Sequence, residues 1–283
     1  IQMATINTAE YFGVSREMGL IAPGRYGDIL LVKDLNDFHA DVVVARGKEA
    51  VRNGEILVEL PRHEYPDWVT HSVHLARPLT ADDFSLTTEA KRSVRANVIG
   101  VIENQAPTRH IVMRLPVVNG DVKPDLVKDV AKLALIERHK GTAKMQVALV
   151  QGFGFNTACA VGTTVAHDSH QMIIVGTDER EMALAANRLA AIGGGQVVVK
   201  QGEVIGEVKL PIAGLMSDQS AQSAAAQTAT VLAGFKACGC NLNNPNMQLS
   251  LLGLVVIPEL RLTDLGLVDV TRFDLIPVVE VEE

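Results

Sequence analysis

The sequence predicts a chain of two parts, a short all-β unit followed by a larger α/β or α+β domain. Short apolar runs separated by glycine-containing turns lie between about residues 19 and 60 and indicate strands. A proline-containing stretch without a clear period, residues 61–78, then forms a connector. Beyond it, strand-like and helical patterns alternate to the end of the chain, which indicates a mixed domain with its own core.

Composition supports a globular protein and excludes several classes. The 283 residues are 47% apolar and 21% charged, which suits a chain with a sizeable core. A net charge of −7 with only 4% aromatic residues argues against a nucleic-acid binder. The longest apolar run, Leu249–Pro258, is too short to span a bilayer. Three cysteines make no disulfide framework, so we expect a cytoplasmic protein.

The first residues predict the start of the chain to lie inside an element. Ile1–Ala9 has the pattern of the last turns of a helix, and no signal-peptide pattern is present. We therefore expect that a part of the protein precedes Ile1. In the following β unit, Asp28–Val32 is predicted as a strand buried on both faces, and Val42–Ala45 and Val51–Ile56 as further strands. Three strands bury too little to be stable alone, so we expect them to join a larger sheet.

The larger domain is predicted element by element. A helix begins at Pro124, with apolar residues at helical spacing up to Ile136 and Arg138–Lys140 at its negative end. Asp178 is expected to cap a second helix, which Gly193–Gly195 ends, and a hairpin follows around Gln201–Glu203. The remaining predictions are strands at 145–150, 172–175 and 249–257, and an alanine-rich helix over 220–235.

Two polar segments are the main candidates for chemistry. His167, Asp168, Ser169 and His170 form the densest polar cluster, which either binds a metal through its two histidines or fixes the entry into the next strand. The segment ending in Ser217 and Asp218 either presents a carboxylate on a constrained loop or caps the following helix, and the cap is favoured.

The other conspicuous residues favour structural roles. The glycine clusters at 152–154 and 193–195 are typical of turns rather than phosphate-binding loops, because neither opens a capped helix. Cys238 and Cys240 are too isolated for a structural zinc site, and His71 and His74 lie in the connector.

Longer stretches carry a family resemblance. Met3–Val14 and Gly19–Val32 resemble the end of an amidohydrolase-superfamily (β/α)8 barrel and the first strands of its small β-sandwich. Five further segments resemble, in order, the C-terminal domain of bacterial adenine deaminases: 165–170, 175–177, 192–195, 210–217 and 257–264. The resemblance implies a division into barrel end (1–18), sandwich strands (19–62), connector (63–80) and C-terminal α/β (α+β) domain (81–283).

The resemblance also implies a chemistry. Such enzymes hydrolyse adenine to hypoxanthine and ammonia in purine salvage, with a pair of divalent metal ions, manganese or iron with zinc as an alternative, that lowers the pKa of a bound water. The family's metal ligands lie before the equivalent of Ile1, so no metal ligand is assigned to this chain. The implied partners are adenine or a related purine, the N-terminal barrel and further copies of the protein, with no nucleic acid and no membrane.

The resemblance makes His167, Asp168, Ser169 and His170 the first candidates for a cover over the purine, and Ser217 and Asp218 the second. Departures from the family pattern at Gln171, 159–164 and 244–252 bring the substrate into question. The alternatives are an amidohydrolase that deaminates a related purine or another cyclic amidine or, for an isolated fragment, a non-catalytic cap or oligomerisation domain.

Overall fold

The computed structural model describes residues 1–61 and 63–280, which fall into two compact units, Ile1–Glu64 and Tyr65–Glu283. The first unit contains a short 3-10 helix, Gln2–Ala4, and helix α1, Ile6–Tyr11, so the helical start is confirmed. Its four strands form one antiparallel sheet in sequential order: β1 Ile29–Val32, β2 Ala40–Ala45, β3 Lys48–Arg52 and β4 Glu55–Ile56.

Two predictions for this unit need correction. Strand β1 lies at the edge of its sheet, and Leu30 and Leu31 each expose 53% of their surface, so it is not buried on both faces. The segment Val51–Ile56 is not one strand but parts of two. Asn53 and Gly54 both have positive φ, which is the geometry of a two-residue hairpin turn and separates β3 from β4.

The second unit is mixed α/β, with more strand than helix. Its main sheet contains ten strands among the described residues: β5 Ser93–Val101, β6 Thr108–Val118, β7 Asp121–Val122, β8 Val130–Ile136, β9 Met145–Gln151, β10 Cys159–Thr163, β11 Met172–Gly176, β12 Gly195–Lys200, β13 Glu203–Lys209 and β17 Val279–Glu280. Their order is β13-β12-β10-β11-β8-β9-β5-β6-β7, with β17 added beside β5. All pairs are antiparallel except β5 with β9.

Helices cover both faces of this sheet. Alternate residues of β12 face opposite sides of the sheet. Val197 and Val199 pack into the core beneath helix α3 (Glu179–Ala191), and Val198 packs into the core that contains Phe235 of helix α4 (Ala221–Ala237). A small sheet of β14 Leu260–Thr263, β15 Gly266–Asp269 and β16 Asp274–Ile276 joins the second core. The helices are α2 Asp67–Thr70, the 3-10 helix Ala81–Phe84, α3 Glu179–Ala191, α4 Ala221–Ala237 and α5 Pro245–Leu251. Among the described residues, no helix combines the length and apolarity needed to cross a membrane.

Several local predictions for this unit are confirmed. The Asp178 side chain accepts hydrogen bonds from the backbone N–H groups of Arg180 and Glu181 and caps α3, which ends before Gly193. Gln201 and Gly202, both with positive φ, form the turn between β12 and β13. The strands expected near 145–150 and 172–175 and the alanine-rich helix are also present.

The helix predicted from Pro124 is wrong. Val130–Ile136 forms β8, in which all seven residues are buried, including Lys132. A continuous apolar run fits one face of a helix and a strand covered on both faces equally well, and the central position of β8 decides between them. The expected alternation of helices and strands is also wrong in this region, because antiparallel strands follow one another from β5 to β11.

The strand predicted over Leu249–Ile257 is wrong as well. The segment begins in helix α5, which Asn244 caps through a hydrogen bond from the backbone N–H of Met247 to its side chain. Pro245 occupies the first helical turn, where its missing N–H costs nothing. These helix-start signals precede the apolar run and determine its structure.

Candidate functional site

Four loops meet at one end of the main sheet, here called the loop end. Strands β8 and β10 finish there, and β11 and β12 begin there, because Ile136 pairs with Met172 and Thr163 with Gln196. Antiparallel pairing therefore places residues 137–144, 164–171, 192–194 and 210–218 at the same end of the sheet. Both segments with candidate site residues lie here.

The first segment, 164–171, is held by backbone hydrogen bonds. The N–H of His167 donates to the carbonyl oxygen of Ser250 at 3.0 Å, and the N–H of His170 donates to that of Ala166 at 2.6 Å. The two imidazole rings lie edge to face, with centroids 5.5 Å apart. Asp168 and Ser169, at the tip, are exposed. The structure thus brings the two histidines together and presents the residues between them to solvent.

His170 has an incompletely satisfied ring. Its Nδ1 atom is buried and has no hydrogen-bond partner among the residues that the structure describes. Burial lowers the pKa of this imidazole, and the nearby His167 and Arg138 charges lower it further, against the opposing effect of Asp168. The neutral ring is therefore favoured near pH 7. A neutral imidazole has one donor and one acceptor nitrogen, and Nδ1 is the one that is buried here.

The second segment, 210–218, is a tight loop rather than a helix cap. Ile212 and Met216 form an isolated β-bridge, and Ala213 and Gly214 between them have positive φ. The favoured cap reading of Asp218 is wrong, because the Ser220 side chain caps α4. Asp218 is exposed, and it accepts a hydrogen bond from the Gln219 side chain at 3.0 Å.

Ser217 is partly buried, and its hydroxyl accepts a hydrogen bond from the backbone N–H of Gln219 at 3.1 Å. Both candidate residues of this loop therefore interact with Gln219. The candidate carboxylate is available to solvent, as the constrained-loop reading expects.

Arg138 connects the two segments and was not recognised as a site residue from the sequence. Its guanidinium is buried, with 1% of the residue exposed, and donates to the carbonyl oxygens of His170 and Ala213 at 2.6 and 3.0 Å. It also donates to the carbonyl oxygen of Ser72 at 3.0 Å. The available signal was a cation two residues after the largely apolar run that ends at Ile136, but the predicted helix placed this cation at its C-terminal end.

Neighbouring residues add to this arrangement. The side-chain amide oxygen of Gln171 accepts the backbone N–H of Arg138 at 3.0 Å. His139 Nε2 donates to the carbonyl oxygen of Ser169 at 2.8 Å. The N–H of His74 donates to the carbonyl oxygen of Arg138, whereas the ring of His71 contacts Asp67 of its own turn. Of the two connector histidines, His74 is the one that a hydrogen bond joins to Arg138.

The described residues do not fit a metal centre. Over 1–61 and 63–280, no three histidine, cysteine, aspartate or glutamate side chains are grouped so that they could hold an ion. The structure therefore gives no support to the metal alternative for His167 and His170. Cys159, Cys238 and Cys240 are free thiols and buried.

Comparison with known proteins identifies relatives along the whole chain. The profile of the adenine deaminase C-terminal domain matches residues 105–274, and that of the amidohydrolase family matches residues 1–50. Proteins named adenine deaminase from Ruegeria pomeroyi and Moorella thermoacetica are 51% and 47% identical to the chain. Adenine deaminase 3 of Rhizobium meliloti is 47% identical. Each alignment covers 99% of this chain and 47% of the relative, so the chain spans about half the length of the curated relatives that it matches.

Proposed function

This chain belongs to the adenine deaminase C-terminal domain family, and on that premise we propose that it is the C-terminal portion of an enzyme that hydrolyses adenine to hypoxanthine and ammonia. One observation carries the proposal: identity near 50% to proteins named adenine deaminase extends over 99% of the chain. Such similarity is not confined to one motif. In purine salvage this reaction would return the base to the hypoxanthine pool.

We assign the metal ions to another part of the protein. The amidohydrolase relationship implies a metal-dependent enzyme, but the described residues of this chain do not fit a metal centre. We propose that an N-terminal barrel holds a pair of divalent ions, manganese or iron with zinc as the alternative, which supply an activated water when bound. The residues of this chain act on the substrate without contacting those ions.

The role proposed for this chain is to cover the purine. The neutral His170 ring, the neighbouring His167 and the exposed Asp168 and Ser169 offer donors and acceptors, which the ring nitrogens and amino group of a purine require. Asp218 and Ser217 offer a carboxylate and a hydroxyl from the second loop. A cover of this kind also excludes bulk water from the reacting base.

The test is ammonia release from adenine by the full-length protein loaded with Mn²⁺. Conversion to hypoxanthine, measured by ultraviolet absorbance or chromatography, is the expected result, and a panel of other aminopurines and cyclic amidines examines the alternative substrates. If the protein deaminates another compound and not adenine, that compound replaces adenine as the proposed substrate. Absence of any deamination would leave the non-catalytic role.

We further propose a cytoplasmic homo-oligomer, which size-exclusion chromatography with light scattering would test.

The cover is tested separately by His167→Ala and His170→Ala in the full-length protein. Each substitution is expected to lower kcat/KM for adenine by about 10-fold or more, the usual order for a lost substrate-orienting contact. His71→Ala removes an exposed ring that contacts Asp67 and Thr70 of its own turn and neither candidate loop, so it serves as the histidine control for general disturbance. Unchanged kcat/KM in both histidine variants would remove the loop from the active site without affecting the substrate assignment.

A further inference from the structure

We propose that Arg138 is a positioning residue that fixes the two candidate loops, 164–171 and 210–218, relative to each other so that they act as one cover. The inference rests on the proposed function, which places these loops over the substrate. Each loop has hydrogen bonds of its own, such as those from His170 to Ala166 and from Met216 to Ile212, but these do not set the position of one loop relative to the other. The guanidinium supplies the connection.

The contacts of Arg138 are directed at three separate segments. Nε donates to His170, Nη2 to Ala213 and Nη1 to Ser72, in each case to a backbone carbonyl oxygen, at 2.6, 3.0 and 3.0 Å. These acceptors are 32, 75 and 66 residues away in sequence. The planar guanidinium has five N–H donors in a fixed geometry, so its three partners are held in fixed relative positions.

The buried charge makes these bonds costly to lose. Among the described residues, no carboxylate lies within ion-pair distance of Arg138. The adjacent Glu137 side chain instead accepts the N–H groups of His139, Lys140 and Thr142 in its own turn. Carbonyl oxygens thus accept the hydrogen bonds of the guanidinium, and the nearby Glu137 charge also favours the cation. Moving either loop away would leave one buried N–H donor of the cation without its acceptor.

Gly214 fits closely against the same group. A Cβ atom at this position would lie 2.8–2.9 Å from three atoms of the Arg138 guanidinium, and φ is +72°. The second loop can therefore approach the guanidinium this closely only with glycine. This contact fixes the distance of the loop from Arg138, in addition to the bond to Ala213.

A second tie joins the same two loops. The Thr164 hydroxyl donates to the carbonyl oxygen of Gly214 at 2.6 Å and accepts the N–H of Gly195 at 2.8 Å. Thr164 is fully buried. The first loop is thus bonded to the second at its start through Thr164 and at its end through Arg138 and His170. A displacement of one loop would be transmitted to the other.

Arg261 provides a matched control. It is another fully buried arginine, its guanidinium also donates to three backbone carbonyl oxygens, of Leu254, Leu260 and Ala106, and burial lowers the pKa of both arginines to about 10. Its acceptors lie outside both candidate loops. Substituting Arg261 therefore reproduces the loss of a buried, carbonyl-bonded arginine without releasing the cover.

The experiment compares Arg138→Met, Arg138→Lys and Arg261→Met in the full-length, metal-loaded protein, at a temperature at which all three remain folded. Arg138→Met is expected to lower kcat/KM for adenine by about 10- to 100-fold, the scale that follows from misplaced substrate contacts. Arg261→Met is expected to stay within about 2-fold, since distant sites act independently. Arg138→Lys, which keeps the charge but not the planar set of donors, is expected to lie between wild type and Arg138→Met.

Hydrogen exchange provides a readout that a general loss of stability would not produce. Amides in both 164–171 and 210–218 are expected to exchange faster in Arg138→Met, and in neither loop in Arg261→Met. Faster exchange in one loop only, or an unchanged kcat/KM in Arg138→Met with an active wild type, would overturn the inference. A wild-type protein that does not deaminate adenine would instead refute the proposed function, and the exchange result would still decide whether Arg138 joins the loops.

Discussion

Lys132 in β8 and Arg138 just after it are both buried cations, but carboxylates surround the first and backbone carbonyl oxygens surround the second. Lys132 lies within β8, and its ammonium group contacts the carboxylates of Asp121 and Glu179 at 2.8–3.0 Å. Arg138 lies two residues beyond β8 and contacts backbone carbonyl oxygens. At about 3.3 Å per residue, roughly 20 Å separates them along the chain.

The difference indicates two different roles for a buried charge. Around Lys132 the opposite charges come from β7 and from the first turn of α3, so the ion pairs join regular elements and stabilise the fold. Around Arg138 the acceptors belong to loops, so the buried guanidinium holds irregular backbone segments in place rather than joining regular elements. We expect the first cluster to dominate stability and the second to dominate the geometry of the cover.

The largest effect is expected for Lys132→Met. Among the described residues, the substitution leaves Lys123, whose side chain is 36% exposed, as the cation paired with Asp121 and Glu179. It should cost about 3–5 kcal/mol, the usual cost of breaking a buried ion pair. The change in the free energy of unfolding is measured by urea unfolding of the full-length protein, followed through hydrogen exchange of the β8 amides. Lys128→Met, which removes an exposed pair with Asp125, is the control and should cost under about 1 kcal/mol.

Arg138→Met is expected to cost less stability, about 2–3 kcal/mol, because neutral carbonyls are left without a partner rather than carboxylates. The same unfolding measurement applies, and Arg261→Met should give a similar value. A loss equal to or larger than that of Lys132→Met would contradict the division into a fold-stabilising and a loop-arranging cation.

Gly214→Ala is expected to cost about 1–3 kcal/mol and to lower kcat/KM for adenine, because the new methyl group displaces the guanidinium and the backbone has positive φ. Gly202→Ala has a similar φ of +80° and nothing within 4 Å of the added carbon, so it isolates the backbone cost. Equal effects in the two variants would mean that contact with Arg138 contributes nothing. Since Gly214 and Arg138 share one contact, the double variant should be less than additive.

The smallest effect concerns pH. Burial raises the pKa of Glu137, but hydrogen bonds from Thr142, Lys140 and His139 outweigh it and bring the pKa to about 2. Burial also opposes the lowered pKa of Glu179, which Lys132 and Lys123 produce. A carboxyl with a depressed folded pKa stabilises the protein above its unfolded pKa, so this contribution should be lost as pH falls from about 5 to about 2.

Glu137→Gln and Glu179→Gln separate the two contributions. Each variant should unfold with a weaker acid dependence than wild type over that pH range, by on the order of 1 kcal/mol after allowance for solvent screening. Thermal unfolding at a series of pH values measures the change. An acid dependence that is unaltered in both variants would assign acid sensitivity to other carboxylates.

The correct prediction of α3 concerns contacts between residues close in sequence, and the incorrect one over Val130–Ile136 concerns contacts between distant segments. Helix α3 was predictable because Asp178 caps it through groups two and three residues away. The run Val130–Ile136 was not, since its period fits either element and only the flanking strands β9 and β11 determine which one forms. The candidate loops were recognised from their polar and glycine-rich sequences, but not the residue that joins them.

The sequence by itself therefore determined the cap of α3, the turn between β12 and β13 and the family to which the chain belongs, because each depends on residues close together or on a pattern that relatives share. Only the tertiary structure decided which groups accept the hydrogen bonds of Lys132 and Arg138. Those contacts link groups 11 to 75 residues apart, and they exist only after the main sheet has brought its loops to one end. The sequence does not distinguish a buried cation that pairs with carboxylates from one that bonds to backbone carbonyls, because the fold alone determines which groups surround it.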